Sequence, residues 1–193
     1  MKIILGSGSP RRKELLGMLG LDFTVIPAQS EQEVSPLLGP DENVKQIALA
    51  KAVSVAKTLS DCATADDTVI IAADTIVYLC GAVLGKPRDN EDAKAMLRAL
   101  SGQRHTVYTG VALLHKGVQI TAAESTDVWF RQLLPGEIDA YVETGDPMDK
   151  AGAYGAQGHA AKFIERIDGD FFNVMGLPLC RLTVMLRELG VKL

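Results

Sequence analysis

The middle of the chain contains a nearly uninterrupted apolar run, Thr68-Val69-Ile70-Ile71-Ala72-Ala73-Asp74-Thr75-Ile76-Val77. Such a run is typical of a β-strand that is buried on both faces, as in a sheet covered by helices. Its charged residue, Asp74, is costly there unless it binds a metal, pairs with a cation or serves as a tuned base. The alternative is a carboxylate that only accepts backbone hydrogen bonds at the end of a strand.

Strands and helices alternate on both sides of this run. Further strands are predicted over residues 2–6, 23–27, 106–114, 118–130 and 162–167, the third and fourth of these forming a hairpin that turns near Lys116-Gly117. Helices are predicted over residues 10–19, 41–60, 90–100, 135–143 and 177–189, the first two with caps at Ser9 and Asp41. The alternation predicts an α/β fold with a mixed sheet and flanking helices.

Length and composition limit the class of protein. The chain has 193 residues, which fits one domain or two closely fused lobes, and 47% hydrophobic residues are enough for a core. The net charge of −4 argues against a surface built to bind nucleic acid or an anionic membrane. No run approaches the roughly 18 apolar residues of a membrane helix, and the first residues do not resemble a signal peptide, so we expect a cytoplasmic protein.

The cysteines and histidines show no spacing that suggests chemistry. Cys62, Cys80 and Cys180 are scattered, which favours reduced thiols that fill the core rather than nucleophiles. The histidines, which are interpreted as structural or exposed, are His105, His115 and His159.

A basic turn opens the first predicted helix, in the segment Ser7-Gly8-Ser9-Pro10-Arg11-Arg12-Lys13. A helix N-terminus carries partial positive charge and free N–H groups, so three cations in its first turn oppose its stability. The arrangement is favourable if an anion such as phosphate binds there. The alternative is a solvated basic helix start, and the P-loop pattern is absent.

Two lysines could also face an anion. Lys51 lies within the apolar stripe of its predicted helix, so it must snorkel to the surface, pair with a carboxylate or meet a ligand. Lys86, in Gly85-Lys86-Pro87, follows a turn at Gly81 that returns it toward the end of the buried strand where Asp74 lies.

A glycine-rich segment and an acidic loop complete the candidate site. Residues 146–158 contain three glycines, which permit close backbone approach, and Gln157 could donate to and accept from a base edge. A purely structural loop is the alternative. Glu31 and Glu33 add acid which, beside phosphate-binding cations, suggests Mg²⁺ or Mn²⁺, although surface glutamates are the default interpretation.

Taken in order, these motifs resemble the Maf family of nucleoside triphosphate pyrophosphatases nearly from end to end. The matching segments are Ser7-Gly8-Ser9-Pro10-Arg11-Arg12-Lys13-Glu14-Leu15-Leu16, Ala73-Asp74-Thr75, Gly85-Lys86-Pro87, residues 148–158 (Met-Asp-Lys-Ala-Gly-Ala-Tyr-Gly-Ala-Gln-Gly), Asp168-Gly169-Asp170 and residues 173–179. Departures from the family pattern are Gly6 for the commoner alanine, Ala156 for isoleucine, and Gln32 where an acid often precedes the glutamate that Glu33 matches.

The resemblance implies a fold and an activity. The fold is an elongated two-lobed α/β structure around a cleft, similar to inosine triphosphatase, as a single domain over residues 1–193. The activity is cleavage between the α and β phosphates with a divalent cation, in the cytoplasm, by a homodimer. The loop at 149–158 is similar to that of the subfamily acting on dTTP and UTP, and by implication on some modified pyrimidine nucleotides. The sister subfamily, which acts on 7-methyl-GTP, differs in this loop.

The resemblance also assigns residues. The family's proton acceptor falls on Asp74, and its specificity positions fall on Arg11, Thr75 and Gln157. We expect Asp74 to activate water, supported by Lys51 and Lys86. The triphosphate would contact Lys51, Lys86, Ser9, Arg11 and Arg12, and a metal would be held by Asp74 or Glu33.

Two other functions remain open at this level. One is a non-catalytic nucleotide-binding regulator of septum formation, because the family name comes from cell-division arrest. The other is a pyrophosphatase directed at unwanted purine nucleotides.

Overall fold

The structure, a computed structural model, describes residues 1–29, 32–59 and 67–192. Its strands are β1 (Lys2–Leu5), β2 (Phe23–Val25), β3 (Thr68–Leu79), β4 (Ala82–Leu84), β5 (Arg104–His115), β6 (Val118–Phe130) and β7 (Ile164–Asp168). Its α-helices are α1 (Pro10–Gly17), α2 (Pro40–Leu59), α3 (Asn90–Leu100), α4 (Pro135–Glu143), α5 (Phe171–Met175) and α6 (Leu179–Glu188). Short 3-10 helices cover Asp146–Asp149, Ala151–Ala153 and His159–Phe163.

The strands form a mixed sheet. Within the described residues the order is β2-β1-β3-β5-β6-β7, with β4 paired to β3. β1 runs parallel to β2 and β3, whereas β4 is antiparallel to β3 and β7 is antiparallel to β6. These pairings, with helices between the strands, confirm the predicted α/β fold with a mixed sheet.

The chain divides into two compact units, whose boundaries fall inside β3, β5 and β6 and at the end of α5. The first unit comprises Met1–Asp74, Thr109–Glu124 and Gly176–Leu193, and the second comprises Thr75–Tyr108 and Ser125–Met175. The core of the first unit includes Ile4, Ala48, Ala52, Val55, Ile70, Ala72 and Ala112. The core of the second is rich in aromatic residues that meet edge to face, among them Phe130, Tyr141, Tyr154 and Phe163.

In the first unit, Gly110 allows helix α2 to lie directly against strand β5. A Cβ atom at position 110 would lie 2.2 Å from the carbonyl oxygen of Val44 and 2.7 Å from the amide nitrogen of Lys45. Both atoms belong to the backbone and cannot move aside as a side chain would. Gly110 therefore sets the depth at which the helix that carries Lys51 packs on the sheet.

The predicted hairpin is present and is slightly longer than expected. It joins β5 to β6 through Lys116 and Gly117, which have φ angles of 48° and 79°. Positive φ at both central residues is the geometry of a two-residue turn that matches the twist of the flanking strands. The Lys116-Gly117 pair between two predicted strands was therefore sufficient to predict this turn.

Some local predictions were wrong at the ends of elements. Ser9 precedes α1 as expected, but its side chain makes no capping hydrogen bond. Asp41 lies inside the first turn of α2, because that helix already begins at Pro40. The last strand begins at Ile164 rather than at residue 162, because His159–Phe163 forms a 3-10 helix. The short elements β4 and α5 were not predicted.

The expectation that the cysteines fill the core was also wrong for two of them. Cys80 and Cys180 are exposed free thiols. Cys80 adopts φ 48° at the turn between β3 and β4, a position that the chain geometry exposes. Cys62 and Glu31 lie outside the described residues.

No α-helix in the described part of the chain combines the length and the apolar composition needed to cross a membrane.

Candidate active site

Asp74 and Lys51 form an ion pair in the first unit. The Lys51 Nζ donates to Asp74 Oδ1 at 2.5 Å, and the two side chains are 22% and 17% exposed. Of the options that the sequence left open for Lys51, the structure therefore selects pairing with a carboxylate. The pair is partly accessible, so a ligand can reach groups that are largely desolvated.

The packing of α2 explains why Lys51 faces inward. Its neighbours Ala48, Ala52 and Val55 pack against the apolar residues of β3 in the core of the first unit. Residue 51 lies on the edge of this face, and its long side chain extends to Asp74. A lysine stem can cover apolar surface while its ammonium group meets the carboxylate.

Strand β1 brings the basic turn close to the same region. Leu5 is opposite Ile71 in the parallel pair β1–β3, and the Gly6 N–H donates to the Ile71 carbonyl at 2.7 Å. The turn at residues 6–9 therefore begins at the carboxyl end of β1, beside the strand that carries Asp74. Ligands of open α/β sheets collect at the carboxyl ends of strands.

Arg12 is held by two acceptors of the first unit. Its Nε donates to the Gly176 carbonyl at 2.8 Å, and its Nη1 donates to Ser7 Oγ at 3.2 Å. Burial lowers the pKa of Arg12 from its ordinary value, and the negative charge of Asp74 acts in the opposite direction. Arg12 thus contributes positive charge near Asp74 from a fixed orientation.

The remaining candidates in the opening turn are Ser9 and Arg11. Ser9 is half-buried, and its N–H donates to Ser7 Oγ at 3.3 Å. Arg11 is half-buried as well, and its charge contributes to lowering the pKa of Arg12. The first turn of α1 contains no acidic residue, so its N-terminus keeps a positive field.

In the second unit, Lys86 and the glycine-rich segment lie next to each other. Lys86 is exposed, and the residue before it, Gly85, accepts a hydrogen bond from the Gly152 N–H at 3.0 Å. Gly152 adopts φ 67°, and a Cβ there would lie 2.9 Å from Val77. This glycine is therefore required by both its backbone conformation and its packing.

Gln157 has an acceptor atom with no bonding partner. Its Oε1 is buried and forms no hydrogen bond within the described part of the chain. A buried acceptor without a partner is costly, so a group that donates to it is favoured. Thr75, which the family resemblance marks as a specificity position, is half-buried and directly follows Asp74 in β3.

The oxygen donors available to a metal are few. Across residues 1–29, 32–59 and 67–192, no group of three or more His, Cys, Asp or Glu side chains could hold an ion. Glu33 is exposed in the loop before α2. Mg²⁺ is commonly bound by one or two carboxylates together with substrate phosphates, rather than by a cage of protein ligands alone. Asp74 fits a site of the first kind.

Two features of the site were missed by sequence reasoning. Ser7 was quoted in the basic turn but was not assigned a role, although it is buried and accepts from Arg12. The Gly176 carbonyl binds Arg12 across 164 positions of the chain. A backbone acceptor leaves no signature in side-chain identity, so only the structure could reveal it.

Comparison with known proteins shows the family of this chain. Residues 2–189 match the family model described as Maf-like protein. A dTTP/UTP pyrophosphatase of Bacillus cereus strain AH820 is 44% identical over 190 residues, which cover 98% of this chain and 96% of that protein. A dTTP/UTP pyrophosphatase of Bacillus cytotoxicus is 44% identical over 187 residues, with 97% and 95% covered.

A solved structure shares the fold at low identity. The Ham1 protein of Staphylococcus aureus superposes with a TM-score of 0.52 at 13% identity, covering 97% of this chain and 99% of that one. Because the family model and the Bacillus relatives match nearly the whole chain, this chain belongs to the Maf family.

Proposed function

We propose that this protein is a nucleoside triphosphate pyrophosphatase that hydrolyses dTTP and UTP to the monophosphate and pyrophosphate. The observation that carries the proposal is the ion pair between Asp74 and Lys51, with the charge of Arg12 close to it. Support comes from the relatives named dTTP/UTP pyrophosphatase at 44% identity.

In this mechanism, Asp74 is the proton acceptor. Lys51 engages Oδ1 and orients the carboxylate, so we assign the attacking water to Oδ2. The water oxygen forms a bond to the α-phosphorus while its proton passes to Oδ2. The bond from the α-phosphorus to the bridging oxygen breaks, and pyrophosphate leaves with the electron pair.

The basic residues lower the repulsion between the water and the triphosphate. In the first unit these are Arg11, Arg12 and the N–H groups at the start of α1, with Ser9 as a further donor. We assign the same role to Lys86. Preorganised positive charge at the place where negative charge develops is commonly the largest contribution to such catalysis.

A divalent cation of the Mg or Mn type completes the proposal. Asp74 and Glu33 are the carboxylates that we propose as its protein ligands, together with phosphate oxygens. When bound, such a cation supplies additional positive charge to the phosphate oxygens.

Base selection is assigned to Gln157, with Arg11 and Thr75 as further specificity positions. Uracil and thymine present an N3–H donor between two carbonyl acceptors, whereas cytosine has a bare acceptor nitrogen at N3. We place the buried Oε1 of Gln157 opposite N3, where uracil and thymine supply the donor that it needs and cytosine presents an acceptor. Modified pyrimidines that keep N3–H are substrates on the same grounds. We further propose a cytoplasmic homodimer, as the family resemblance implies.

The decisive experiment is a panel of nucleoside triphosphates assayed with Mg²⁺ or Mn²⁺. It contains dTTP, UTP, CTP, ATP, GTP, ITP and 7-methyl-GTP, and both the nucleotide product and pyrophosphate are quantified. We expect dTTP and UTP to be cleaved fastest, with equal amounts of monophosphate and pyrophosphate, and chelation to stop the reaction.

Two outcomes would replace this function. Preference for purine triphosphates would identify a purine-directed pyrophosphatase. Nucleotide binding without pyrophosphate release from any triphosphate would favour a non-catalytic regulator of septum formation, a reading that leaves the Asp74–Lys51 pair without a catalytic task.

A further inference from the structure

Lys150 lies inside the glycine-rich segment of the second unit, yet it is only 8% exposed. Its Nζ donates to the carbonyl oxygen of Asp146, to Asp146 Oδ1 at 3.0 Å and to Asp149 Oδ1 at 2.7 Å. An ammonium group has three donors, and these contacts use all of them. Lys150 is therefore occupied within the protein and is not available to bind phosphate.

The stem of Lys150 contacts the backbone close to Gln157. A Cβ atom at Gly155 would lie 2.9 Å from Lys150 Cε, 3.0 Å from Cδ and 3.3 Å from the Gln157 carbonyl oxygen. The absence of a side chain at position 155 lets the chain lie directly on the lysine. The lysine thus supports the backbone two residues before Gln157.

Asp146, the partner of Lys150, approaches the chain on the other side of Gln157. A Cβ atom at Gly158 would lie 3.8 Å from Asp146 Oδ2. The same oxygen accepts a hydrogen bond from the Tyr141 hydroxyl at 3.0 Å. Asp146 is therefore fixed by Tyr141 and Lys150 together, and the pair brackets Gln157 at positions 155 and 158.

A second anchor holds the same segment at Tyr154. The Tyr154 hydroxyl lies 2.7 Å from His105 Nε2, and its ring meets Phe130 edge to face with centroids 4.8 Å apart. Burial raises the pKa of Tyr154 above its ordinary value, so the phenol stays neutral. Because residue 154 is fixed in the core, the position of Gln157 depends on the conformation of residues 155–158.

We infer that Lys150, through its ion pair with Asp146, is a positioning residue for base selection by Gln157. The inference rests on the proposed function. Lys150 holds residues 155–158 in the conformation that keeps the partnerless Oε1 of Gln157 oriented toward a donor. A loosened segment would let Gln157 rotate and accept from water, so UTP would lose the hydrogen bond from its N3–H, whereas a base without N3–H has no such bond to lose.

The test uses Lys150→Met, which keeps the length of the stem and removes the charge. The measured quantity is kcat/KM for UTP divided by kcat/KM for CTP. We expect this ratio to fall by about tenfold or more, through loss on UTP with CTP little changed. Lys162→Met is the matched control, because Lys162 is an exposed lysine of the same unit, and its ratio should equal that of the wild type.

A second variant keeps the test decisive if Lys150→Met does not fold by circular dichroism. Asp146→Asn preserves size and the backbone acceptor but weakens the ion pair, and it should lower the ratio in the same direction. An equal loss of kcat/KM on UTP and CTP in the folded variants would overturn the inference and leave Lys150 as a general structural residue.

Failure of the proposed function is a separate result. It would appear in the wild type, as no preference for UTP over CTP or no release of pyrophosphate. A wild type that prefers UTP, together with variants whose ratio is unchanged, refutes only the role of Lys150.

Discussion

The Lys51 Nζ and Asp74 Oδ1 atoms meet at 2.5 Å, although the two residues lie 23 positions apart in the chain, one on helix α2 and the other on strand β3. The pairing accounts for the inward position of both residues, because an inward lysine and an aspartate within a buried strand would each be costly without a partner. Removing one partner of a desolvated pair leaves an uncompensated charge, so this contact links the stability of the first unit to its chemistry.

Replacement of Asp74, the proposed proton acceptor, should abolish most turnover. We expect Asp74→Asn to lower kcat on UTP by about 10²–10⁴-fold, because an amide cannot accept the proton of the attacking water. Nucleotide binding, measured by calorimetry, should be largely retained. Asp67→Asn is the control, since the Asp67 side chain is 69% exposed in the same unit. Unchanged turnover of Asp74→Asn would remove Asp74 from the mechanism.

Loss of the lysine should affect stability as well as activity. We expect Lys51→Met to lower the free energy of unfolding by about 1–3 kcal/mol, less than for a fully buried pair because both side chains are about one-fifth exposed. Urea unfolding measures the change. Lys57→Met, an exposed position near the end of the same helix, should stay within about 0.5 kcal/mol of the wild type. Equal effects at the two positions would contradict the importance of the pair.

Arginine should be required at position 12. Arg12 donates in two directions, from Nε to Gly176 and from Nη1 to Ser7, and a lysine has no fork to reproduce this. We expect Arg12→Lys to lower kcat/KM for UTP at least about tenfold, corresponding to one lost charged hydrogen bond. Arg181→Lys, at an exposed ion pair of the same unit, should have no measurable effect on steady-state kinetics. Full activity of Arg12→Lys would show that only its charge matters.

A methyl group at position 110 should disturb the packing of α2. We expect Gly110→Ala to destabilise the protein by about 2–3 kcal/mol or more, because the added Cβ meets backbone atoms that must shift. Gly136→Ala, in helix α4 with open space around the site, should be neutral or stabilising by up to about 1 kcal/mol. Thermal unfolding of both variants measures the change. The melting temperature should fall for Gly110→Ala and should stay the same or rise for Gly136→Ala.

Stability should decrease in mild acid because of His105. Burial lowers the pKa of His105 to about 4 from 6.5, against a smaller opposing effect of Asp127. The unfolded state therefore binds the His105 proton more readily than the folded state does. The stability that depends on a neutral His105 is fully present above about pH 6.5 and is lost as the pH falls toward 4. The total is about 3 kcal/mol.

His105→Gln separates this effect from that of the carboxylates. Urea unfolding at pH 7, 5.5 and 4.5 should show a flatter pH dependence for the variant than for the wild type. Parallel curves would mean that His105 binds its proton equally well in the folded and unfolded states and would contradict this prediction.

Local structure was predictable where neighbouring residues decide it. The bounds of α3 and α4 match the prediction, because capping residues, proline and glycine act within a few positions. Ser9 occupies the N-cap position of α1 as predicted, although its side chain makes no capping hydrogen bond. The prediction at Asp41 was wrong, since α2 begins one residue earlier, at Pro40, and such a shift depends on how the preceding loop enters the helix. The expectation that Cys80 is buried in the core was wrong, because residue type predicts burial only on average.

By itself, the sequence determined the strand at residues 68–77, the hairpin at Lys116-Gly117, the basic first turn of α1 and the family to which the chain belongs. Each of these depends on local pattern or residue identity. Only the tertiary structure decided that Lys51 pairs with Asp74, that the Gly176 carbonyl holds Arg12, and that Lys150 supports the backbone beside Gln157. These contacts depend on distances between elements, and two of them involve backbone atoms that every residue type shares.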